Sequence, residues 1–455
     1  MVRAMKPQWR KYLGVRAPRY TSFPSALHFD EQVTAADFAR KLGEVGLYDP
    51  LSIYVHVPFC RQMCWYCGCN MRVENDYGRA LRYVRALTEE IRLVGRELGG
   101  AGRPRSAHFG GGTPNYLKIA EIGDILGAIE LALGLTDSTR LAIELDPRLI
   151  ENGDIARLAA LGFNRMSLGV QDFDPVVQAA INRIQGFEMI ESAVGDMRRA
   201  GVNDISFDLL YGLPAQTLQR FEATLEKTIA LAPDRIAVFG YAHLPSALPR
   251  QRMIDEALLP QEDSRADLAA LADDMLVAAG YRRVGFDHYA KPDNALVKAD
   301  LEGRLRRNFQ GFTEDIADAT LGFGASAISE VGGLYAQNAK GLADYYRRID
   351  RQALATTRGL ALSPRERVIG AAIRELLCRG AVDIAPVLSA ASPAEAFAIC
   401  ARLEALEADG VITWEGDRLA IAKAARPFSR IVAMALDPYQ TASPGAAAPS
   451  LARAV

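Results

Sequence analysis

Between Leu51 and about Tyr241 the chain alternates short apolar runs with longer stretches of helical period, and this alternation restricts the fold more than any other feature. The runs are Leu51–Val57, Ser106–Phe109, Leu141–Leu145, Arg165–Val170, Asp204–Leu210 and Arg235–Phe239. Helical periodicity fills the gaps at Leu81–Leu98, Ile119–Leu133, Leu149–Leu161, Phe187–Ala200 and Leu218–Ala230. Such runs bounded by helices read as strands joined by right-handed crossovers, hence parallel, which leaves an α/β barrel or a doubly wound sheet. The polar residues choose between them. Cysteines follow the first run, Gly110-Gly-Gly-Thr-Pro114 the second, Glu144-Leu-Asp146 the third and Gln171-Asp172 the fourth; Asp208 closes the fifth and Gly240-Tyr-Ala-His243 follows the sixth. A barrel gathers its chemistry at the C-terminal ends of all its strands, whereas a doubly wound sheet concentrates it at one switch point. The expected fold is a partial, six-unit (β/α) barrel of the TIM type.

Four of the six cysteines lie together in Cys60-Arg-Gln-Met-Cys64-Trp-Tyr-Cys67-Gly-Cys69. The spacing C-x-x-x-C-x-x-C on a strand-to-loop turn lets three sulfurs converge on one centre. An iron–sulfur cube takes four ligands, so three cysteines leave one iron for a non-protein ligand. A structural zinc site using Cys69 as fourth ligand is the main alternative, although zinc sites more often come as two separated pairs. A disulfide framework needs an oxidising compartment that nothing here suggests. The iron–sulfur reading is favoured. Cys378 and Cys400 fall in apolar helical settings and read as buried free thiols.

The remaining signals bound the protein's class. A net charge of −2 argues against broad nucleic-acid binding. No stretch approaches a membrane span, and the basic N-terminus has no apolar segment after it, so a cytoplasmic protein is expected. Residues 1–50 form an N-terminal arm, read as solvated and packed on the surface, with Arg16 and Arg19 as candidates to meet an anionic substrate. Residues 51–355 hold the barrel with its extension; Arg307-Asn-Phe-Gln310-Gly-Phe-Thr and Leu321-Gly-Phe-Gly-Ala-Ser-Ala-Ile328 are expected as connections or a lid. Residues 356–440 read as a mainly helical, winged-helix-like unit without a basic recognition face, and 441–455 as a disordered tail. Glu144, Asp146 and Asp208 need partners, which a ligand or an internal salt bridge to Arg165 or Arg183 could supply. His56 and His243 read as satisfied core histidines. The lack of a heptad or apolar stripe favours a monomer.

The cysteine motif with Gly-Gly-Gly-Thr-Pro after the second strand resembles the radical S-adenosylmethionine enzymes. The fuller set resembles one branch, the oxygen-independent coproporphyrinogen III oxidases: Tyr54-x-His56-x-Pro-Phe-Cys60, Phe163-Asn-Arg-Met-Ser-Leu-Gly-Val-Gln-Asp-Phe, Asp208-Leu-Leu-Tyr-Gly-Leu-Pro, Tyr241-Ala-His-Leu-Pro and Arg307-Asn-Phe-Gln-Gly-Phe-Thr. The resemblance runs from Pro18 to about Tyr439.

It implies that Cys60, Cys64 and Cys67 hold a 4Fe-4S cluster whose open iron binds S-adenosylmethionine. It implies that Tyr54, Tyr66, Gly111, Gly112, Thr113, Glu144, Gln171, Arg183, Asp208, Ala242 and Ile328 surround that cofactor or a second molecule of it. Gln310 falls in a motif associated with the second molecule, and Cys69 matches an extra, non-ligating cysteine near the reactive centre. The implied chemistry is removal of a propionate β-hydrogen by a 5′-deoxyadenosyl radical and loss of CO2, twice, turning coproporphyrinogen III into protoporphyrinogen IX. A low-potential donor such as flavodoxin or ferredoxin is implied as reductant. Related haem chaperones typically lack the extra cysteine and the arm, so Cys69 and Pro18–Ser22 weigh against that branch; a haem-degrading methylase and a DNA-binding protein have less support. The Ala/Pro/Ser-rich stretch after Gln440 departs from the family pattern.

Overall fold

The computed structural model describes residues 6–416 and 418–440; the expected tail lies outside them. All six apolar runs are strands: β1 (Pro50–Val57), β2 (Arg103–Gly111), β3 (Arg140–Leu145), β4 (Phe163–Gln171), β5 (Asp204–Tyr211) and β6 (Arg235–Gly240). Between them lie α1 (Tyr77–Leu98), α2 (Ile119–Leu133), α3 (Asp154–Ala160), α4 (Phe187–Arg199) and α5 (Leu218–Leu231). α3 starts later than the periodicity suggests, because Pro147 opens a short 3-10 turn and Gly153 precedes the helix with φ +82°. After β6 come α6 (Glu262–Ala278) and two short strands, β7 (Arg282–Val284) and β8 (His288–Ala290), which run antiparallel at that edge.

Beyond the hairpin β9 (Arg306–Asn308) and β10 (Gly311–Thr313) the structure departs from the expectation. The glycine-rich segment is neither connection nor lid. It forms β11 (Ala319–Phe323), parallel to β1, with Tyr54 paired to Gly322. β12 (Ile328–Val331), β13 (Leu334–Asn338) and, after α7 (Leu342–Asp350), β14 (Thr356–Ala361) then add antiparallel strands outward. The result is one 12-stranded sheet in the order β14-β13-β12-β11-β1-β2-β3-β4-β5-β6-β8-β7. Its middle is a partial (β/α)6 barrel with a seventh parallel strand. The glycines misled because Gly322 is needed for contact: a Cβ there would sit 2.4 Å from the Ile328 carbonyl oxygen.

The helix side of the sheet is a continuous apolar core containing Ile53, Val55, Val57, Phe109, Leu168 and Phe207. The concave side is polar. Tyr54, His56, His108, Glu144, Ser167 and Asp208 alternate with those core residues and face inward. At the floor, Glu314 accepts hydrogen bonds from Arg140, Arg165 and Arg235, and Asp204 binds Arg165 at 2.7 Å and Arg235 at 2.8 Å. Burial would raise Glu314, but Arg165 and Arg235 hold it well below the usual carboxylate range. Arg165 is thus committed to the floor and pairs with none of the upper carboxylates.

The C-terminal unit packs α8 (Pro364–Arg379), α9 (Pro393–Ala408) and α10 (Ser429–Leu436) against the small sheet of β15 (Ala381–Asp383), β16 (Ile412–Glu415) and β17 (Arg418–Ile421). The arm does not lie solvated on its surface. Trp9, Leu13, Tyr20 and Phe23 are buried in the same apolar cluster as Leu376, Leu403, Val432 and Leu436. Trp9 Nε1 donates to the Asp409 carbonyl at 2.9 Å and the Tyr20 hydroxyl to Asp437 at 2.9 Å. Cys378 is buried as expected, while Cys400 is only partly covered.

Candidate active site

The cysteine loop leaves the end of β1 and returns beside it. Phe59–Cys60 pairs in parallel with Arg72–Val73, and the Cys60 carbonyl accepts from Glu74 N at 3.1 Å. Cys60 and Cys64 are buried, Cys67 is partly covered and Cys69 is exposed. Cys60 Sγ lies 3.3 Å from Thr113 Oγ1. Cys64 Sγ receives Arg183 Nη1 at 3.5 Å and Arg148 Nη2 at 3.7 Å. The Cys69 amide donates to Cys67 Sγ at 3.4 Å. Hydrogen bonding from Cys69 lowers the Cys67 thiol to about 6, the direction a metal ligand needs, and Cys69 is raised in return. Burial pushes Cys60 up to about 12.

The Gly-Gly-Gly-Thr-Pro turn packs against this loop without room for side chains. A Cβ on Gly110 would meet Glu144 Oε1 at 2.8 Å, on Gly111 His56 Nδ1 at 2.4 Å, and on Gly112 the Phe59 carbonyl at 2.9 Å; Gly111 has φ +112°. His56 is fixed from both sides. Its Nε2 faces the Asn70 carbonyl at 2.9 Å and so carries the proton, while Nδ1 accepts from the Tyr54 hydroxyl at 3.1 Å. Burial lowers its pKa and keeps the ring neutral. His56 is the satisfied core histidine expected, and it also braces the cysteine loop. His243 is bonded to Tyr241 and Glu256 at 2.8 and 2.9 Å.

The carboxylates separate by role. Glu144 meets His108 Nε2 at 2.9 Å and Gly111 N at 3.4 Å. Asp146 takes the internal ion pair: Arg148 at 2.6 Å and Arg183 at 3.5 Å. Burial would raise it, yet Arg183 and Arg148 hold it below the usual range. Among the described residues Asp208 accepts from Ser167 Oγ at 3.4 Å, and burial followed by the Glu144 charge pushes it up to about 7. A bulge between Gly169 and Gln171 sets Gln171 at φ +67° and exposes the Gly169 carbonyl to Arg183 at 2.8 Å and Gln185 at 3.0 Å. Arg183 therefore joins β4 to Cys64 and Asp146. Burial and the charge of the neighbouring cysteines outweigh Arg183 at Tyr66 and raise its pKa.

At the ends of β1–β5 a chain of contacts forms one polar basin. Thr113 meets Cys60, Arg183 meets Cys64 and acts on Tyr66, and Gly111 meets Glu144 and His56. His56 bonds Tyr54, the Glu144 charge acts on Tyr54 and Asp208, and Gly112 and Gln171 adjoin them. Ile328 joins through Gly322, which pairs with Tyr54. The Tyr66 and Ala242 carbonyls are joined by Gln251 Nε2, 3.0 Å from each. Gln251 is 1% exposed; it and Arg250, which donates to the Cys69 carbonyl at 3.0 Å, fix the loop from outside. Neither carries a sequence signal, since both act across about 180 residues; Arg148 was legible in principle from Asp146-Pro-Arg at a strand end. Gln310 stands apart, exposed on the β9–β10 turn and lining a separate cavity with Arg19. Arg16 lies elsewhere, beside Tyr241 and His243.

The family model of the radical SAM superfamily matches residues 54–228. An oxygen-independent coproporphyrinogen III oxidase from Bradyrhizobium diazoefficiens is 41% identical over 426 residues, covering 93% of this chain and 95% of that protein. The Escherichia coli K12 enzyme of the same name is 40% identical over 428 residues, covering 93% of each. The chain belongs to the oxygen-independent coproporphyrinogen III oxidases. A solved structure from Escherichia coli, described as coproporphyrinogen III oxidase (HemN), a radical SAM enzyme, superposes with a TM-score of 0.88 at 37% identity, covering 92% of this chain and 97% of the other. A radical SAM oxidase carries a 4Fe-4S cluster and S-adenosylmethionine. The residues fit both: three thiols with one already lowered, two guanidinium groups to offset thiolate charge, and a glycine turn that packs the strand end directly against the cysteine loop. Among the described residues no helix is long and apolar enough to cross a membrane.

Proposed function

We propose that Cys60, Cys64 and Cys67 hold the cluster of this oxidase and that the basin above them holds S-adenosylmethionine. As a member of its family the chain carries out the oxygen-independent oxidative decarboxylation of two propionates of coproporphyrinogen III, giving protoporphyrinogen IX. When bound, the reduced cluster and S-adenosylmethionine supply the 5′-deoxyadenosyl radical that removes the propionate β-hydrogen. The observation that carries the assignment is the convergence of Arg183 on Cys64, Asp146 and the Gly169 carbonyl. It ties the cysteine loop to the ends of β3 and β4.

Each residue then has a task. Arg183 and Arg148 offset negative charge at Cys64. The Gly111-Gly112 turn, its N–H groups taken by Glu144 and the Val57 carbonyl, brings backbone and Thr113 close against the cysteine loop, where they border the polar end of the cofactor. Glu144 and Asp208 face its hydroxyl and ammonium groups; the buried Asp208 becomes a strong acceptor on ionising beside a cation. Tyr54, Tyr66, Gln171, Ala242 and Ile328 complete the wall. The family motif that holds Gln310 supports a second molecule of S-adenosylmethionine, which would lie on the basin side of the Gln310 turn. Cys69, exposed beside Cys67, is positioned to serve the reaction without ligating. A low-potential donor such as flavodoxin or ferredoxin supplies electrons; the protein works as a cytoplasmic monomer and binds no nucleic acid.

The test is anaerobic cluster reconstitution followed by incubation with coproporphyrinogen III, S-adenosylmethionine and a low-potential reductant. Protoporphyrin fluorescence is expected after oxidation. Cys69→Ser should keep its iron and lose the product, and replacing any one of the three ligating cysteines should lose both. S-adenosylmethionine cleavage without vinyl product, together with tight haem binding, would move the chain to the haem-chaperone branch.

A further inference from the structure

The cavity lined by Gln310 has a chemistry that the basin does not use. It encloses about 590 Å³, between Gly240 at the end of β6, the β9–β10 hairpin, the arm and the segment leading into α10. Aromatic walls from Tyr211, Phe286 and Phe309 alternate with the guanidinium groups of Arg19, Arg307 and Arg430. Arg307 is 8% exposed, lying over the rings of Phe286 and Phe312 at 4.8 and 4.6 Å. Its Nη2 donates to the Arg19 carbonyl at 3.2 Å, but Nε and Nη1 have no hydrogen-bond partner among the described residues. Arg430 donates to the Ala17 carbonyl at 3.4 Å and feels the charges of Arg19 and Arg307. The facing carboxylate, Asp287, is engaged by His288 Nδ1 at 2.6 Å. Of the other two lining carboxylates, Asp273 and Asp274, the first is held by Arg283 at 2.6 Å. Among the described residues three acids thus face five arginines and two lysines, and the lining is cationic.

A buried guanidinium with open donors is costly unless something accepts from it, and a carboxylate does so in fork geometry. The volume lies in the range of sites that enclose a single organic ligand. Stacking of Arg307 on two rings offsets part of its burial and presents its edge to the cavity.

We propose that this cavity is a carboxylate subsite for the substrate, in which Arg307, Arg430 and Arg19 hold propionates that are not reacting while the tetrapyrrole lies against the aromatic wall. The inference rests on the coproporphyrinogen reading and deepens it. A reacting propionate must give up its carboxylate as neutral CO2. An arginine paired to that group would stabilise the ground state more than the transition state and slow the step. The arginine cluster therefore suits the carboxylates that persist, and it fixes which propionate reaches the reactive centre.

The experiment is anaerobic binding of coproporphyrin III, the stable oxidised ring, followed by its fluorescence, beside its uncharged tetraamide. Wild-type protein is expected to hold the acid at least tenfold more tightly than the amide. Arg307→Gln and Arg19→Gln should each weaken the acid about tenfold and leave the amide and the iron content unchanged. In turnover KM should rise more than kcat, with release of a ring bearing one vinyl and three propionates. Arg307→Lys, which keeps the charge without the fork, should also lose acid affinity; it replaces the glutamine variant if that one does not fold. Undiminished acid binding by variants of a wild type that makes protoporphyrinogen overturns the subsite alone. A wild type that forms no vinyl product overturns the underlying reading and the subsite with it.

Discussion

A methyl group at position 111 has nowhere to go. The backbone there has φ +112°, and the added carbon would sit 2.4 Å from the imidazole that braces the cysteine loop. Strain of this kind costs about 1–3 kcal/mol before any clash is counted. Gly111→Ala should therefore lower the melting temperature and, more tellingly, abolish S-adenosylmethionine binding measured by equilibrium dialysis; retained binding would show that the turn can yield. At this scale the sequence was informative wherever chemistry is local. Cys60, Cys64 and Cys67 reveal themselves by spacing, and Gly110–Thr113 by composition. Arg250 and Gln251 act through distant partners, the Cys69 and Tyr66 carbonyls, so no local pattern marks them.

Among the elements, α1 and the antiparallel wing are joined by one buried carboxylate. Glu90 accepts from Gly324 N at 2.7 Å, the Tyr345 hydroxyl at 2.7 Å and Asn338 Nδ2 at 2.5 Å. Burial outweighs these bonds and pushes its pKa up to about 7. A folded-state value above the unfolded one makes stability complete below the unfolded value, near 4.5, and lost as pH rises through about 7. Thermal melts between pH 5 and 8.5 should show this decline, at most about 3 kcal/mol at 1.36 kcal/mol per unit. Glu90→Gln should flatten the slope while costing about 1–3 kcal/mol at pH 5 through a mispaired amide; equal slopes in the two proteins would exclude Glu90 as the source. The same network explains what was hidden in β11–β13. Leu321-Gly-Phe-Gly looks like a loop because its glycines answer to Ile328 and to Tyr83, whose hydroxyl binds the His56 carbonyl at 2.7 Å. Likewise the alternation on β1–β5 is a polar lumen, which the apolar faces of the same strands masked.

The whole molecule is held shut by its arm. Trp9 is 3% exposed and touches Phe428 edge-on at 5.6 Å. Trp9→Ala should cost about 3–5 kcal/mol, and its effect should divide cleanly. S-adenosylmethionine binding in the barrel should survive, whereas porphyrin affinity should fall, because the arm carries Arg19 into the cavity. Equal loss of both ligands would mean that arm and barrel do not behave separately. The barrel was legible from six repeats because each strand contacts its sequence neighbours. The arm was not, because its partners lie about 400 residues away, and a short stretch with Trp, Tyr and Phe reads as surface until its seat is known.

That separation also orders events during synthesis. Tyr20 bonds to a carboxylate 417 positions later, so the seam cannot close until residue 437 has cleared the ribosome. Contacts so distant form late. The cysteine loop and its barrel, complete once β11 is in place, stand open through the whole of that delay. The cover over the neighbouring cavity is thus the last part of the molecule to be set in place.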